Sequence, residues 1–190
     1  MKNSRACQLI KSTRKLVKIT SFEQNCTLFD IAGAFAERSG VTVLHETHRG
    51  KFSFAAHVTK QYLERLPELR LTLDVSHWVN VAESYLGDQT EALTLALERS
   101  EHLHARVGHP EAPQVPDPRA EAWREALDVH LGWWDRVAER KRAAGDDELT
   151  IAPEFGPPPY LVTLPETGEP IADQWEVNVY MMRLLRERYS

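Results

Sequence analysis

The sequence has few cysteines, no long hydrophobic run and no excess of positive charge. Its 190 residues include two cysteines, Cys7 and Cys26, which excludes a disulfide scaffold and favours a reducing, cytoplasmic location. Every apolar run is shorter than the about 18 residues that a membrane-spanning helix needs, so we expect neither a membrane partner nor a secretory signal. The net charge of −5 disfavours a nucleic-acid partner, because proteins that bind the phosphate backbone are usually basic.

The composition and charge distribution indicate one folded domain preceded by a basic segment. The chain is 42% hydrophobic and 27% charged, which is enough apolar material to form a core. Residues 1–22 contain six lysines and arginines and no acid. We interpret residues 1–20 as a divergent basic N-terminal segment and residues 21–190 as the folded domain.

Short apolar runs alternate with segments of helical periodicity. The apolar runs predict strands at residues 41–44, 69–73, 102–107 and 149–152, and a further short strand at 15–20. Apolar spacing of three and four predicts helices at residues 52–66, 89–99, 119–143 and 173–188, and a first helix that Ser21 or Asn25 caps and that ends near residue 38. Such alternation is typical of α/β proteins with a parallel sheet, because a helix can connect two parallel strands.

Each predicted helix has an apolar side, and the first and last helices serve as examples. For the first helix this side consists of Phe22, Leu28, Phe29, Ile31, Ala32 and Phe35. For the last helix we expect four residues to point inward: Trp175, Val179, Met182 and Leu185.

Each of the four main strands ends at a side chain that can bind a metal. Glu46 follows the first strand, Asp74 the second and Glu154 the fourth, and His104 lies in the third. The carboxyl ends of parallel strands share one edge of the sheet, so these four side chains should converge. A set of carboxylates and an imidazole suits Mn²⁺, Mg²⁺, Zn²⁺ or Fe²⁺. We therefore predict a divalent metal site.

Several neighbours of this cluster have two interpretations. His102 points to the same strand face as His104, but it lies further from the carboxyl end, so His104 is the expected ligand. Trp78 could line a sugar pocket or pack in the core. Three polar residues could each bind a substrate hydroxyl, carboxylate or phosphate, or form an ion pair within a loop: Arg49, Arg106 and His109.

Four motifs resemble the C-terminal part of the xylose isomerase-like TIM barrel family, which includes sugar phosphate isomerases and epimerases. They are HETHRG at residues 45–50, LTLDVSHW at 71–78, HLHARVGHPEAPQVPDP at 102–118 and APEFGPPPY at 152–160. The resemblance covers about residues 20–190. It implies a partial (β/α) TIM barrel of about four to five parallel strands, corresponding to the C-terminal half, with the helices outside.

The resemblance also implies roles for individual residues. The family's single divalent metal is held at the positions of Glu46, Asp74, His104 and Glu154, and its two glutamates act as acid and base on either face of the substrate carbon. The position of His77 contacts the substrate in ketose epimerases. The implied function is isomerisation or epimerisation of a small sugar, sugar phosphate or keto-polyol, by proton transfer next to a carbonyl through a metal-stabilised enediolate.

Other interpretations stay open at this point. A TIM barrel has eight strands in about 250 residues, whereas this sequence predicts four or five strands. The chain could therefore be a non-catalytic truncated remnant, or a half barrel whose open edge a second copy of the chain covers. A DNA-repair nuclease of the AP endonuclease type shares the D-x-x-H motif, but its later D-x-H motif corresponds here to Asp117-Pro118-Arg119.

Overall fold

A computed structural model describes residues 21–190 and shows a parallel sheet with helices around it. The described residues contain four strands, which lie side by side in chain order and run parallel: β1 (His45–Glu46), β2 (Leu71–Leu73), β3 (Ser100–Ala105) and β4 (Thr150–Pro153). The predicted α/β class with a parallel sheet is confirmed. The strand predicted at residues 15–20 and the basic segment 1–20 lie outside the described residues.

The helices are α1 (Phe22–Ser39), α2 (Ala56–Arg65), α3 (Ser76–Ala82), α4 (Thr90–Glu98), α5 (Arg124–Ala143) and α6 (Gln174–Tyr189). Helix α1 precedes β1, helices α2 to α5 connect the successive strands, and α6 follows β4. A single 3-10 turn, Glu121–Trp123, precedes α5. The short helix α3 was not predicted from the sequence.

The ends of α1 follow from local sequence signals. The Ser21 hydroxyl accepts a hydrogen bond from the backbone N–H of Gln24 (3.3 Å), and the Gln24 side chain accepts one from the backbone N–H of Ser21 (2.8 Å). Gly40 ends the helix at a φ of 67°, in the left-handed conformation that glycine adopts without steric cost. The predicted first helix is therefore confirmed at both ends.

The first strand begins later than predicted. Only His45 and Glu46 pair with β2, and the predicted strand residues 41–44 do not. Since His45 lies opposite Leu71, residues 41–44 fall opposite residues 67–70, which form a turn and the approach to β2 rather than a strand. A strand needs a hydrogen-bonding neighbour, so the apolar run has no ladder to join.

The core is centred on β2 and on the helices behind it. Leu71 and Leu73 are fully buried, as are Trp134 and Val137 of α5. Helix α4 contacts β2, α2 and α5. The paired tryptophans of α5 therefore serve packing, as helical spacing predicts.

The inward side of α6 differs from the prediction. Trp175 is 74% exposed and Met182 is also exposed, whereas Val177 and Met181 are buried together with Leu185. The helix carries apolar residues on two adjacent stripes, and the sequence pattern alone does not show which stripe meets the core.

Part of the predicted apolar side of α1 also faces outward. Leu28, Ile31 and Phe35 are exposed, whereas Phe29 packs against Phe52 with ring centroids 4.5 Å apart. No helix within residues 21–190 combines the length and hydropathy needed to cross a bilayer.

Candidate metal centre

Four side chains converge at the carboxyl edge of the sheet. Glu46 lies in β1, Asp74 directly follows β2, His104 lies in β3 and Glu154 directly follows β4. One donor atom from each of them lies within 4.8 Å of the other three. Protein ligands lie about 2.0–2.6 Å from a divalent ion, so donors separated by this distance can surround a single ion. The cluster, which we call the acidic cluster, could therefore hold a metal.

The register of the sheet explains this convergence. Glu46 lies opposite the residue two positions before Asp74, and His104 lies opposite the residue two positions before Glu154. Side chains two residues apart in a strand point to the same face of the sheet. The four side chains thus share one face, along a line that rises from β1 to β4.

The side-chain hydrogen bonds that hold Asp74 in place use only one of its oxygens. Its Oδ1 accepts hydrogen bonds from the backbone N–H (3.1 Å) and the hydroxyl of Ser76. The Thr47 hydroxyl donates to the Asp74 carbonyl (2.9 Å) and accepts from its N–H (2.7 Å), which ties the end of β1 to the end of β2. The other oxygen, Oδ2, is buried without a hydrogen-bond partner in the described structure. A metal ion would supply the missing partner.

His104 stands between the two glutamates. Its Nδ1 lies 2.7 Å from Glu154 Oε2 and 3.3 Å from Glu46 Oε1, but neither contact has hydrogen-bond geometry. Close donor atoms that are not aligned on one another are typical of ligands that point to a common centre. The cluster geometry thus fits a shared cation better than a network of hydrogen bonds.

Two cations neutralise the acidic cluster from its sides. Lys51, which is 6% exposed, forms an ion pair with Glu46 Oε2. The Arg106 Nη2 donates to Glu154 Oε2 at 2.9 Å, and its Nε lies 3.4 Å from Asp74 Oδ2. Each glutamate is therefore held by a cation on one oxygen.

The pKa values of the cluster respond to burial and to these charges. Burial raises the pKa of Asp74 to about 6, against the opposing charge of Arg106. For Glu46 burial also acts upward, but the contacts with His104 and Lys51 outweigh it and hold the pKa below its usual range. For His104 burial acts downward, and the carboxylates of Glu154 and Glu46 outweigh it and raise the pKa to about 9. The carboxylates of Glu154 and Glu46 therefore stabilise a positive charge at the position of His104.

His77 lies beside the cluster in the first turn of α3. It is fully buried, and neither ring nitrogen has a hydrogen-bond partner in the described structure. Its ring lies 4.0 Å from the ring of His48, and its Nε2 lies 3.7 Å from Asp74 Oδ2. Burial, reinforced by the nearby His48 and Arg106, lowers the pKa of His77 to about 2, so the ring is neutral.

Trp78 and His109 have contact partners other than the four residues of the acidic cluster. Trp78 is fully buried and its indole N–H donates to the carbonyl of Ser53 (2.8 Å), which corresponds to the core alternative. His109 stacks on Trp123 at 4.7 Å and accepts a hydrogen bond from the N–H of Glu111. Trp78 therefore packs in the core, which is the second of its two interpretations, and its substrate-binding role is corrected. The substrate-binding role of His109 stays a prediction.

His102 and His130 each lie within hydrogen-bond distance of a partner that belongs to the fold rather than to the acidic cluster. The ring of His102 lies 2.7 Å from the Thr150 hydroxyl, between β3 and β4, as its deeper position in the strand predicts. His130 is fully buried in α5, and its Nε2 accepts a hydrogen bond from the N–H of Gly108 (3.3 Å).

Two residues of the site were missed by sequence reasoning. Lys51 follows Glu46 by five positions in an irregular loop, and no spacing rule marks it. Tyr160 ends the proline-rich stretch after β4, and its ring contacts the guanidinium groups of Arg49 (5.0 Å) and Arg106 (4.5 Å). Its position after Glu154, in a loop at the same sheet edge, is the one signal that could have identified it.

No protein-family model, curated protein or solved structure matches the chain in comparisons with known proteins.

Proposed function

We propose that the chain is a metal-dependent isomerase or epimerase that moves a proton next to the carbonyl of a small sugar, sugar phosphate or keto-polyol. The observation that carries this proposal is the convergence of Glu46, Asp74, His104 and Glu154 within 4.8 Å, at the edge where active sites of parallel α/β proteins lie. The set contains two glutamates, so it can offer an acid and a base as well as metal ligands.

The sheet supports a partial TIM barrel of the xylose isomerase-like family. Its four strands are parallel, follow chain order and alternate with helices. The line of ligands rises from β1 to β4, and such a stagger is what tilted barrel strands require. The ordered set of strand-end ligands matches the order of the family's motifs.

Each residue of the site has a separate role in the proposed proton transfer. A bound divalent metal would polarise the carbonyl and the neighbouring hydroxyl of the substrate and stabilise the enediolate. Glu154 meets both His104 and Arg106 through Oε2, which leaves Oε1 to accept a proton from carbon. Glu46 keeps Oε1 toward the cluster while Lys51 holds Oε2. His77 offers two unpartnered ring nitrogens to substrate hydroxyls.

Hydrogen exchange at carbon tests this proposal for isomerases and epimerases alike. The Mn²⁺-loaded protein is incubated in D₂O with a panel of ketoses, sugar phosphates and keto-polyols, and NMR follows the C–H next to each carbonyl. We expect the intact chain to exchange at least one member of the panel. Glu154→Gln should slow that exchange by more than about 10²-fold, because it removes the base while keeping the size of the side chain.

The control is Glu166→Gln, which makes the same substitution at an exposed loop position. It should exchange at the rate of the unaltered protein. Exchange at full rate in the Glu154→Gln protein would contradict the assignment of the base. A metal-loaded protein that exchanges no member of the panel would instead support the interpretation as a non-catalytic remnant.

A further inference from the structure

Arg49, Arg106 and Tyr160 form a cationic wall on one side of the acidic cluster. Arg49 lies in the loop after β1, Arg106 directly follows β3 and Tyr160 lies in the loop after β4. The two guanidinium carbons lie 5.0 and 4.5 Å from the centroid of the Tyr160 ring. The ring of His77 meets the same tyrosine edge-on at 6.3 Å. Three loops of the sheet edge thus bring their polar groups to one place, which we call the arginine wall.

The arginine wall has donors that the protein does not use. Arg106 is 5% exposed, yet its Nη1 has no hydrogen-bond partner in the described structure. Within residues 21–190, no carboxylate pairs with the half-buried Arg49. A buried N–H group without an acceptor is costly, so a ligand that brings acceptor oxygens to this wall recovers that cost.

The charges of the site also favour an anionic ligand. The sheet edge holds three carboxylates of the acidic cluster and three cations: Lys51 and Arg106, which pair with these carboxylates, and Arg49, which contacts Tyr160. These charges balance, so a divalent ion at the cluster would leave an excess equal to its own charge. A neutral sugar leaves that excess uncompensated, whereas an anionic substrate reduces it.

The geometry points to a carboxylate rather than a phosphate. Phosphate sites usually include free backbone N–H groups at a turn or helix start. Here the N–H of Gly50 donates to His48 (2.8 Å) and the N–H of Ser76 donates to Asp74 (3.1 Å), so neither is available. The arginine wall offers planar guanidinium groups, which bind the oxygens of a carboxylate or a phosphate in pairs. Without these backbone donors, a carboxylate fits the wall better, because it has fewer oxygens to satisfy.

We propose that the substrate of this site is a short hydroxy-keto acid, whose carboxylate binds Arg49 and Arg106 while its hydroxyl and carbonyl oxygens face the acidic cluster. Because Arg106 contacts both Asp74 and Glu154, the carboxylate lies within a few bonds of the reacting carbon. This inference rests on the proposed function, since it names the substrate class of the same site.

Binding of three small probes to the Mn²⁺-loaded protein tests the inference. Isothermal titration calorimetry compares glycerate, glycerol and glycerol 3-phosphate, which differ in the group that would meet the arginine wall. We expect glycerate to bind at least about 10-fold more tightly than either of the others, as charge-assisted hydrogen bonds to arginine predict. Equal affinities for glycerate and glycerol would overturn the inference, and tightest binding of glycerol 3-phosphate would overturn the choice of carboxylate.

Substitution of Arg49 separates binding by the arginine wall from chelation by the metal. Arg49→Gln should weaken glycerate binding about 10-fold or more, while Mn²⁺ affinity stays unchanged. The glycerate affinity of Arg49→Lys should lie between those of the unaltered protein and Arg49→Gln. Arg99→Gln is the matched control, because Arg99 is also half-buried but lies before β3, at the opposite edge of the sheet. An Arg49→Gln protein that binds glycerate like the Arg99→Gln protein would overturn the inference.

The proposed function fails in a different way. A chain that binds no Mn²⁺ but still binds glycerate through Arg49 contradicts the metal-dependent activity and keeps the carboxylate site. A chain that binds Mn²⁺ and does not distinguish glycerate from glycerol keeps the metal site and loses the carboxylate site.

Discussion

At the scale of single residues, Asp74 has a fixed position and one oxygen without a hydrogen-bond partner. Its Oδ1 is fixed by the N–H and hydroxyl of Ser76, its backbone is fixed by Thr47, and its Oδ2 has no hydrogen-bond partner in the described structure. Burial of a carboxylate is costly even beside Arg106, and the raised pKa of Asp74 expresses that cost. A cation bound at the acidic cluster would reduce this cost of burial. The same buried oxygen therefore explains both the raised pKa of Asp74 and its proposed role as a metal ligand.

His77 allows a prediction that separates substrate binding from metal binding. His77→Ala removes two ring nitrogens that have no partner in the described structure and leaves the four cluster residues in place. We expect KM for a substrate to rise about 10-fold or more, as for a lost hydrogen bond to a ligand, with metal affinity unchanged. Steady-state kinetics and a metal titration on the same sample measure both. A parallel loss of metal would assign His77 to the metal site instead.

At the scale of elements, the loop after β3 is packed tightly against the start of α3. A Cβ at Gly108 would lie 2.9 Å from the Cβ of Ser76 and 3.1 Å from the carbonyl oxygen of Pro113. Gly108→Ala should therefore lower the free energy of unfolding by about 1–3 kcal/mol, as overpacking usually does. It should also weaken metal binding, because Ser76 holds Asp74.

Gly132→Ala is the matched control for that substitution. Gly132 lies exposed in the middle of α5, with no atom within 4 Å of an added Cβ. Alanine favours a helix interior, so this variant should be about 0.5–1 kcal/mol more stable than the unaltered chain. Urea denaturation of both variants measures the two effects, and equal stability of the two would contradict the packing at Gly108.

His130 links α5 to the same loop and makes the link sensitive to pH. Its Nδ1 lies 2.8 Å from the Ala126 carbonyl, and its Nε2 accepts from the N–H of Gly108, so the ring is neutral with the proton on Nδ1. Complete burial lowers the pKa of His130 to about 4, compared with about 6.5 in an unfolded chain. Between these values the unfolded chain binds a proton that the folded chain does not, so stability falls as the pH decreases through this window.

The prediction compares the pH dependence of two proteins. On lowering the pH from 7 to 4.5, the unaltered protein should lose about 2–3 kcal/mol more unfolding free energy than His130→Gln, which does not titrate. Urea denaturation at each pH gives both values, and other titrating groups cancel in the difference. Equal pH dependence of the two proteins would show that His130 is not the group responsible.

The sequence pattern predicts most strands and helices of this fold, but it does not predict which side of every helix faces the core. The strand ends at Asp74, His104 and Glu154 follow from apolar runs that stop at polar residues, and their convergence follows from parallel strands. Helix α3 is too short to show a period, so it was missed. The inward side of α6 depends on which of two apolar stripes meets the core, and Trp175 lies on the outer one.

Part of the site could not be predicted for a related reason. Lys51 and Tyr160 come from irregular loops, whose paths depend on tertiary packing rather than on periodicity. The acidic cluster could be predicted because the carboxyl ends of parallel strands meet at one edge of the sheet. No comparable rule gives the positions of the loop cations around it. Trp78 had two interpretations at the sequence level, and only its burial beneath the loop carbonyl of Ser53 decides between them.

At the scale of the whole molecule, the parallel sheet brings residues that are distant in sequence together at its carboxyl edge. The four residues of the acidic cluster are separated by up to about a hundred positions along the chain, yet each is within a residue of a strand end or inside a strand. The core around β2 and α5 lies behind this edge, and the loops that carry Arg49, Arg106 and Tyr160 lie around it. The proposed metal binding would therefore depend on correct packing of the entire sheet, and it should be lost on unfolding.

The most direct test of the account is the metal stoichiometry and affinity of the chain, compared with that of Asp74→Asn. The substitution keeps the shape of the side chain and the Oδ1 acceptor for Ser76, and it removes the charge that faces the cluster. Asp147→Asn, at an exposed position, is the control. We predict that the unaltered chain and the control each bind one divalent ion with micromolar or tighter affinity, and that Asp74→Asn, still folded by circular dichroism, binds at least about 100-fold more weakly. Equal binding by Asp74→Asn, or no binding by the unaltered chain, would contradict the metal site.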